Sequence, residues 1–374
     1  MTRSTAAARL ALLVILAPAA VAAQGPTLDP RVCTARAVAD TVQRAARPAA
    51  GARAYWLSAH DIQWPGAPSD ARYALYRSAS AAIVADSGRP VTGADERIPL
   101  RRERAALPAD VAERFRWLPD GARLSVPPRQ RRTRLRSAAA ADWAQQQLLV
   151  VQEDERGNVI AATHLQLPGL LDAVFASAAD AADLGATPGA AATRFALWAP
   201  TARAVAVCVY PLRSGEQARL AALTREHATG IWRGELRDAA APSRYLYVVE
   251  VYVPGAGIVR NRVTDPYSVA LAANSRYSVV LDLDDPTTKP SGWGGAARPA
   301  PLASLTDLVV YELHVRDFSA QDASVRPAWR GKYLAFTEPS SLGIQHLRAL
   351  AAAGVTDVHL LPAYDLSTVP ELEC

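Results

Sequence analysis

From Ala54 to Val263 the apolar residues recur at every second position in short runs, and each run closes on turn-forming residues. A period of two puts side chains alternately on the two faces of a pleated strand, which excludes a helical bundle or a coiled-coil rod for this stretch. Tyr55-Trp56-Leu57, Ile62-Gln63-Trp64 and Arg72-Tyr73-Ala74-Leu75-Tyr76 open the pattern. Gln147 to Gln152 and Val159 to Ala162 flank Glu153-Asp154-Glu155-Arg156-Gly157-Asn158, a hairpin turn. These runs predict a β-sandwich, with domain limits at 53–180. A second set follows: Thr193 to Trp198, Ala204 to Tyr210, Gly230-Ile231-Trp232, and Arg244 to Val253, which returns through Pro254-Gly255-Ala256-Gly257 into Ile258 to Val263. It predicts a second immunoglobulin-like sandwich over 181–285.

The pattern then changes. Residues 286–306 hold Pro286, Pro290, Gly292, Gly294, Gly295, Pro299 and Pro301 and read as a linker. Leu308 to Leu313 is a continuous apolar strand, Leu342 to Ala353 an amphipathic helix stopped by Gly354, and Val355 to Pro362 a second strand. Strand, helix and strand in that order give a parallel βαβ unit over 307–374. One parallel pair does not cover its own edges and faces. The tail from 308 on is therefore expected to expose apolar strand faces, to be poorly ordered or aggregation-prone, and to be cut off by protease near the linker.

The start of the chain has the grammar of an export signal: Arg3 and Arg9, an apolar stretch from Leu10 to Val21, and small residues at Ala22 and Ala23. The reading is a signal peptide at 1–23, too short for a membrane span, and an exported protein, periplasmic or extracellular. Residues 24–52 form an N-terminal extension in which Arg31 to Arg44 suggests a short helix. Cys33, Cys208 and Cys374 are odd in number and far apart, which is no disulfide framework, and Cys208 reads as a strand residue. The net charge of +5 is almost entirely arginine. Five arginines at 129, 131, 132, 134 and 136 read as a solvated segment, because no aromatic platform is interleaved with them. Neither the charge nor this cluster is the footprint of a nucleic-acid binder.

Several stretches resemble one enzyme family. Val309 to Ser319 (Val309-Val310-Tyr311-Glu312-Leu313-His314-Val315-Arg316-Asp317-Phe318-Ser319) resembles the first barrel strand of pullulanases, type I debranching enzymes of glycoside hydrolase family 13. Val355 to Pro362 resembles their second barrel strand. Phe195-Ala196-Leu197-Trp198-Ala199-Pro200-Thr201-Ala202 is similar to the family 48 carbohydrate-binding module that precedes the barrel, and Val263-Thr264-Asp265-Pro266-Tyr267-Ser268 to its end. Ile62-Gln63-Trp64-Pro65 and Gln166 to Asp172 resemble the β-domain before that module. The resemblance implies a multidomain chain: two all-β immunoglobulin-like sandwiches followed by the first βαβ unit of a (β/α)8 TIM barrel. It also implies hydrolysis of α-1,6 branches in pullulan, starch or glycogen by the whole enzyme, with α-glucan polysaccharide as the partner.

Retaining hydrolysis needs two carboxyl groups about 5–5.5 Å apart, held at the C-terminal ends of barrel strands. The family's nucleophilic Asp, acid/base Glu and stabilising Asp belong to the fourth, fifth and seventh strands, beyond the two strands present here. No catalytic residue is assigned, and this chain alone is expected to be inactive. His314, Asp317, Tyr364 and Asp365 sit at the available strand ends and are the candidates for the rim of a sugar cleft. Asp317 also reads as an ion partner of Arg316, and Asp365 as a turn former. Trp56, Trp64, Trp198 and Trp232 are the candidate stacking platforms, although large aromatics in such sheets more often anchor the core. The six histidines have no zinc spacing, and Asp282, Asp284 and Asp285 form no EF-hand loop. No cofactor is predicted; the resemblance admits calcium in a full-length enzyme and assigns it no site here. Two rivals stand beside this reading: a non-catalytic starch- or glycogen-binding protein, and part of an isoamylase or branching enzyme.

Overall fold

The computed structural model describes residues 28–46, 51–127, 142–212, 217–237, 239, 241–297, 300–363 and 370–372. The predicted signal peptide, the arginine cluster at 129–136 and Cys374 lie outside the described residues. The chain divides into two compact units, 1–267 and 268–374.

In the first unit, strand β1 (Ala39–Arg44) precedes a sheet built from β2 (Ala54–Trp56), β3 (Asp61–Pro65), β4 (Arg72–Ser78), β5 (Glu96–Pro99), β6 (Arg101–Arg102), β7 (Gly121–Ser125), β8 (Gln147–Glu153) and β9 (Val159–Gln166). Their hydrogen-bonded order is β5-β4-β8-β9-β2-β3-β7-β6. The β2–β9 pair is parallel; the other neighbours run antiparallel. Local chemistry fixes the turns. Asp154 accepts hydrogen bonds from the Arg156 and Asn158 amides at 2.9 and 2.7 Å, which holds the β8–β9 hairpin, and Gly157 supplies the positive φ of 83°. Trp56, Ile62 and Trp64 share one core with Tyr73, Leu75 and Val150 from the other half of the path, so the sheet's two halves cover each other. Two helices flank it, α1 (Ala109–Arg114) and α2 (Pro168–Phe175). Leu170 and Phe175 are buried, and Gly169 passes so close to Leu57 that a Cβ would lie 2.0 Å from its carbonyl oxygen.

The opposite face of β4 and β8, where Tyr76, Leu149 and Val151 form a second core, carries a buried charge. Glu153 accepts from Tyr76 Oη at 2.6 Å and from Arg97 Nε at 2.9 Å. Burial alone would raise its carboxyl; the hydrogen bonds from Arg97 and Tyr76 outweigh burial and hold it below its ordinary value.

Two further sheets complete the first unit. One runs β10 (Gly185–Thr187), β11 (Ala192–Trp198), β15 (Ile231–Arg237) and β14 (Thr224–Arg225). The other runs β13 (Arg219–Ala222), β12 (Ala202–Tyr210), β16 (Ser243–Val253), β17 (Gly257–Val263) and β1. Phe195 of the first meets Tyr245 of the second edge-on at 5.3 Å, which sets the two layers face to face. Tyr245 donates to buried Asp265 at 2.7 Å, and Asp265 accepts the Tyr267 amide at 2.8 Å. Burial pushes the Asp265 carboxyl up.

The N-terminal extension departs from expectation in two ways. Pro30–Cys33 is one 3-10 turn, and Ala39–Arg44 is strand β1, so the helix expected over Arg31 to Arg44 is absent. Strand β1 pairs antiparallel with β17, Ala39 opposite Asn261 and Arg44 opposite Gly257. A Cβ at Gly257 would lie 2.1 Å from the Gln43 carbonyl oxygen, so this pairing needs glycine there. Cys33 is bonded to Cys208 in β12, with the two Cα atoms 5.5 Å apart. This corrects the expectation that the distant cysteines form no disulfide framework, while Cys208 is the strand residue expected. Arg262 reinforces the tie by donating to the Val32 and Ala35 carbonyls, each at 2.7 Å.

The second unit holds β18 (Ser278–Val280), β19 (Val310–Leu313), α3 (Val315–Ser319), α4 (Leu342–Ala352) and β20 (Asp357–Leu360). Strands β19 and β20 pair in parallel, Val310 opposite Asp357 and Leu313 opposite Leu360. Helix α4 starts where Ser341 accepts the Ile344 amide and the Asp322 carboxylate accepts the Gly343 amide. Gly354, at φ 105°, follows its last turn. Val310, Val358 and Leu360 keep 54, 46 and 43 % of their surface exposed, while Leu313 is buried.

Arg97→Ala is expected to cost about 2 kcal/mol at neutral pH, because Glu153 stays buried with half its partners gone. The carboxyl is depressed in the fold, so its contribution is complete above the unfolded value near 4.5 and is lost as pH falls through the folded value. The gap between wild type and variant should therefore close in acid denaturation series. An equal gap at every pH would contradict the assignment. Non-reducing peptide mapping should join the Cys33 and Cys208 peptides, and Cys33→Ser should lower stability by about 2–4 kcal/mol.

Candidate functional site

The C-terminal ends of β19 and β20 open into a cleft of about 500 Å3, lined by His314, Val315, Arg316, Gly331, Lys332, Tyr333, Pro362 and Ala363. The strand ends dictate its make-up. Strand β19 stops at Leu313, and His314 turns the chain into α3 as its N-cap, with Nδ1 accepting the Asp317 amide at 3.4 Å. The Asp317 carboxylate lies 3.4 Å from His314 Nδ1 and 3.6 Å from Arg316 Nη1. Two of the predicted rim residues thus sit together, and Asp317 is the ion partner of Arg316 that its neighbour suggested. Tyr364 and Asp365 lie outside the described residues.

The opposite wall comes from the loop before α4. Gly331 has a φ of 69°, and its amide donates to the buried Ser319 hydroxyl at 2.9 Å. That bond places Lys332 and Tyr333 over the strand ends, and Tyr333 Oη donates to the Ala363 carbonyl at 3.3 Å. Neither residue was singled out from the sequence; they arrive through the loop, and no local pattern marks them. Below the cleft His359 Nδ1 lies 3.1 Å from Glu312 Oε2, its register partner in the parallel pair.

The wall offers donors and a phenol ring to a polyhydroxylated ligand. None of the cleft's lining residues is a carboxylate, and Asp317 stands at the rim, so these walls present no acid pair for retaining hydrolysis. Among the described residues no cluster of His, Cys, Asp or Glu has metal-binding geometry. Asp282 and Asp285 instead accept the Asp284 and Thr287 amides, each in a turn.

The tryptophans divide sharply. Trp56, Trp64 and Trp232 keep 0, 4 and 5 % of their surface and belong to the cores. Trp198 is 36 % exposed, with its indole N–H donating to the Thr229 carbonyl at 3.0 Å. Of the four candidate platforms it alone reaches the surface.

Comparison with known proteins fits this architecture. The pullulanase N2 domain model matches residues 51–173, and the model for carbohydrate-binding module 48 (isoamylase N-terminal domain) matches residues 183–268. The chain matches the N-terminal region of pullulanases. It is 37% identical to chloroplastic pullulanase 1 of Arabidopsis thaliana over 324 residues, 85% of this chain and 32% of that protein. It is 35% identical to a Klebsiella pneumoniae pullulanase over 334 residues, 88% of this chain and 29% of the relative. Among solved structures, apo pullulanase from Klebsiella pneumoniae superposes with a TM-score of 0.73 at 32% identity, covering 89% of this chain and 36% of that one. The same enzyme complexed with maltotriose gives 0.73 at 32%, covering 88% and 30%. The chain thus spans about a third of the length of these relatives.

Ser319→Ala should leave the Gly331 amide without its partner. The expected cost is about 1 kcal/mol, read as roughly fivefold faster hydrogen exchange at that amide. Unchanged exchange would show that the loop is held by something else.

Proposed function

We propose that the chain is the glucan-handling front part of a retaining debranching enzyme, which cleaves α-1,6 branches in pullulan, starch or glycogen through groups outside the described residues. In this reading residues 53–180 and 181–285 are immunoglobulin-like sandwiches. Residues 307–374 are the opening βαβ unit of a (β/α)8 barrel, and 286–306 link them. The observation that carries it is the order of parts: an N2 domain, a module 48, and then a parallel strand pair with a cleft at its C-terminal ends. Ligand-binding groups in such barrels gather at that end. A binding module alone has no use for a parallel strand–helix–strand tail.

His314 and Asp317, with Tyr364 and Asp365, line the rim of the sugar cleft in this proposal. Lys332 and Tyr333 join them, donating to hydroxyl groups. The polypeptide of these 374 residues binds α-glucan without cleaving it. Export to an oxidising compartment agrees with the arginine-flanked apolar start and with the Cys33–Cys208 bond. Among the described residues no helix is long and apolar enough to cross a membrane.

Affinity electrophoresis tests the glucan reading. The purified chain should be retarded in gels containing amylopectin relative to gels without it. Equal mobility in both would remove α-glucan as the partner.

A further inference from the structure

The domain at residues 51–173 and the module at 183–268 meet along the outer face of β16. Val248, Glu250 and Tyr252 alternate along this strand, so they share that face. Val248 packs in one cluster with Cys33 of the N-terminal arm. Farther along, the first domain takes over. Arg203 Nη1 donates to the Ala79 carbonyl at 2.7 Å, and Gln145 Nε2 donates to the Ala202 carbonyl. The His164 ring of β9 meets the Tyr252 ring with centroids 6.1 Å apart. These contacts make a seam between the two domains.

The seam encloses a histidine with no outlet for a charge. His164 is 2 % exposed. Its Nδ1 lies 3.5 Å from Tyr252 Oη, and its Nε2 has no hydrogen-bond partner among the described residues. Burial holds the imidazole below its ordinary proton affinity, against a smaller opposite pull from the Leu148 backbone.

The groups packed around it offer no spare anion. On β8 the register partner Leu149 and the next residue on its face, Gln147, are neutral. Ahead of β2 the Gly51 carbonyl accepts the His164 amide, and Arg53 lays its guanidinium over the Trp64 ring at 5.7 Å. From β16 comes the Tyr252 phenol, which burial pushes up and so keeps protonated. Glu250 stands two residues, ~7 Å, along the same strand. That carboxylate is already shared: Arg260 Nη2 donates to it at 3.0 Å, and Arg203 Nε lies 4.0 Å from it. Asp40, opposite Arg260, is exposed on strand β1. The covered part of the face thus holds two guanidinium groups and one carboxylate, and a proton on His164 adds a third cation where water is excluded.

We propose that this seam is a proton-operated joint: at neutral pH an uncharged His164 lets the two domains close on each other, and acidification charges it, breaks its contact with Tyr252 and lets the domains part. The proposal concerns the first unit alone and stands apart from the glucan reading. Its sign follows from linkage. The open joint takes up a proton below the free-imidazole value of about 6.5 and the closed joint does not, so each pH unit below that multiplies the opening constant about tenfold. Two other buried groups do not mimic this. Glu153 loses its contribution only below about 4.5, and the raised Asp265 carboxyl acts with the opposite sign.

Hydroxyl-radical footprinting of the full chain at pH 7.5 and 5.5 tests the joint. Labelling of Tyr252, relative to the 59 % exposed Tyr333, should rise at least fivefold at the lower pH, while Tyr247, fully buried in the module, stays unlabelled. In His164→Gln, which has no proton to take up, Tyr252 labelling should be equal at both pH values. Equal labelling of Tyr252 at the two pH values in wild type would overturn the proposal, and so would an undiminished rise in a folded His164→Gln chain. Should that variant fail to fold, the imidazole resonance of His164 in wild type decides. Proton uptake in step with Tyr252 labelling supports the joint, and uptake over a different pH interval overturns it.

Discussion

The parallel pairing of β19 with β20 is the constraint on which the account turns. Two parallel strands with one crossover helix pair along a single edge; the helix covers part of one face, where Tyr311 meets His346 at 5.8 Å, and much of the rest stays open. Val310, Val358 and Leu360 are exposed for that reason. The cleft lies at the C-terminal ends of this pair. His314, Arg316, Lys332 and Tyr333 give it donors. The two opposed carboxyl groups that glycosidic cleavage with retention demands are missing from its described walls.

The first unit has the opposite character. Its sheets close over their own cores, and several of its charges are paired: Glu153 by Arg97 and Tyr76, Arg233 by Asp183 and Glu226, Glu250 by Arg260. The Cys33–Cys208 bond closes a loop across a sequence separation of 175 residues and fastens the start of the described chain to the middle of β12.

What could be read from the residues follows a physical line. Alternation marked β12, β16 and β17, because each buries one face or both against a core. The Asp154 turn was legible because its hydrogen bonds span only four residues. Strand β1 was not: all six of its residues are exposed, so no apolar period exists to read, and it owes its form to backbone pairing with β17 and to a disulfide partner far along the chain. The cleft was half legible. His314 and Asp317 follow directly on a strand, whereas Lys332 and Tyr333 are delivered by a loop that hangs on the hydroxyl of Ser319. Trp198 was placed correctly on its strand, yet its exposure depends on the packing of neighbouring elements, which sequence alternation does not report.

The most direct measurement of the central claim is the release of reducing ends from pullulan by the purified 374-residue polypeptide. The account predicts a rate no greater than that of the buffer blank, with the glucan bound but uncut. Turnover at an enzyme-like rate would mean that an acid pair assembles within these residues, and would contradict it.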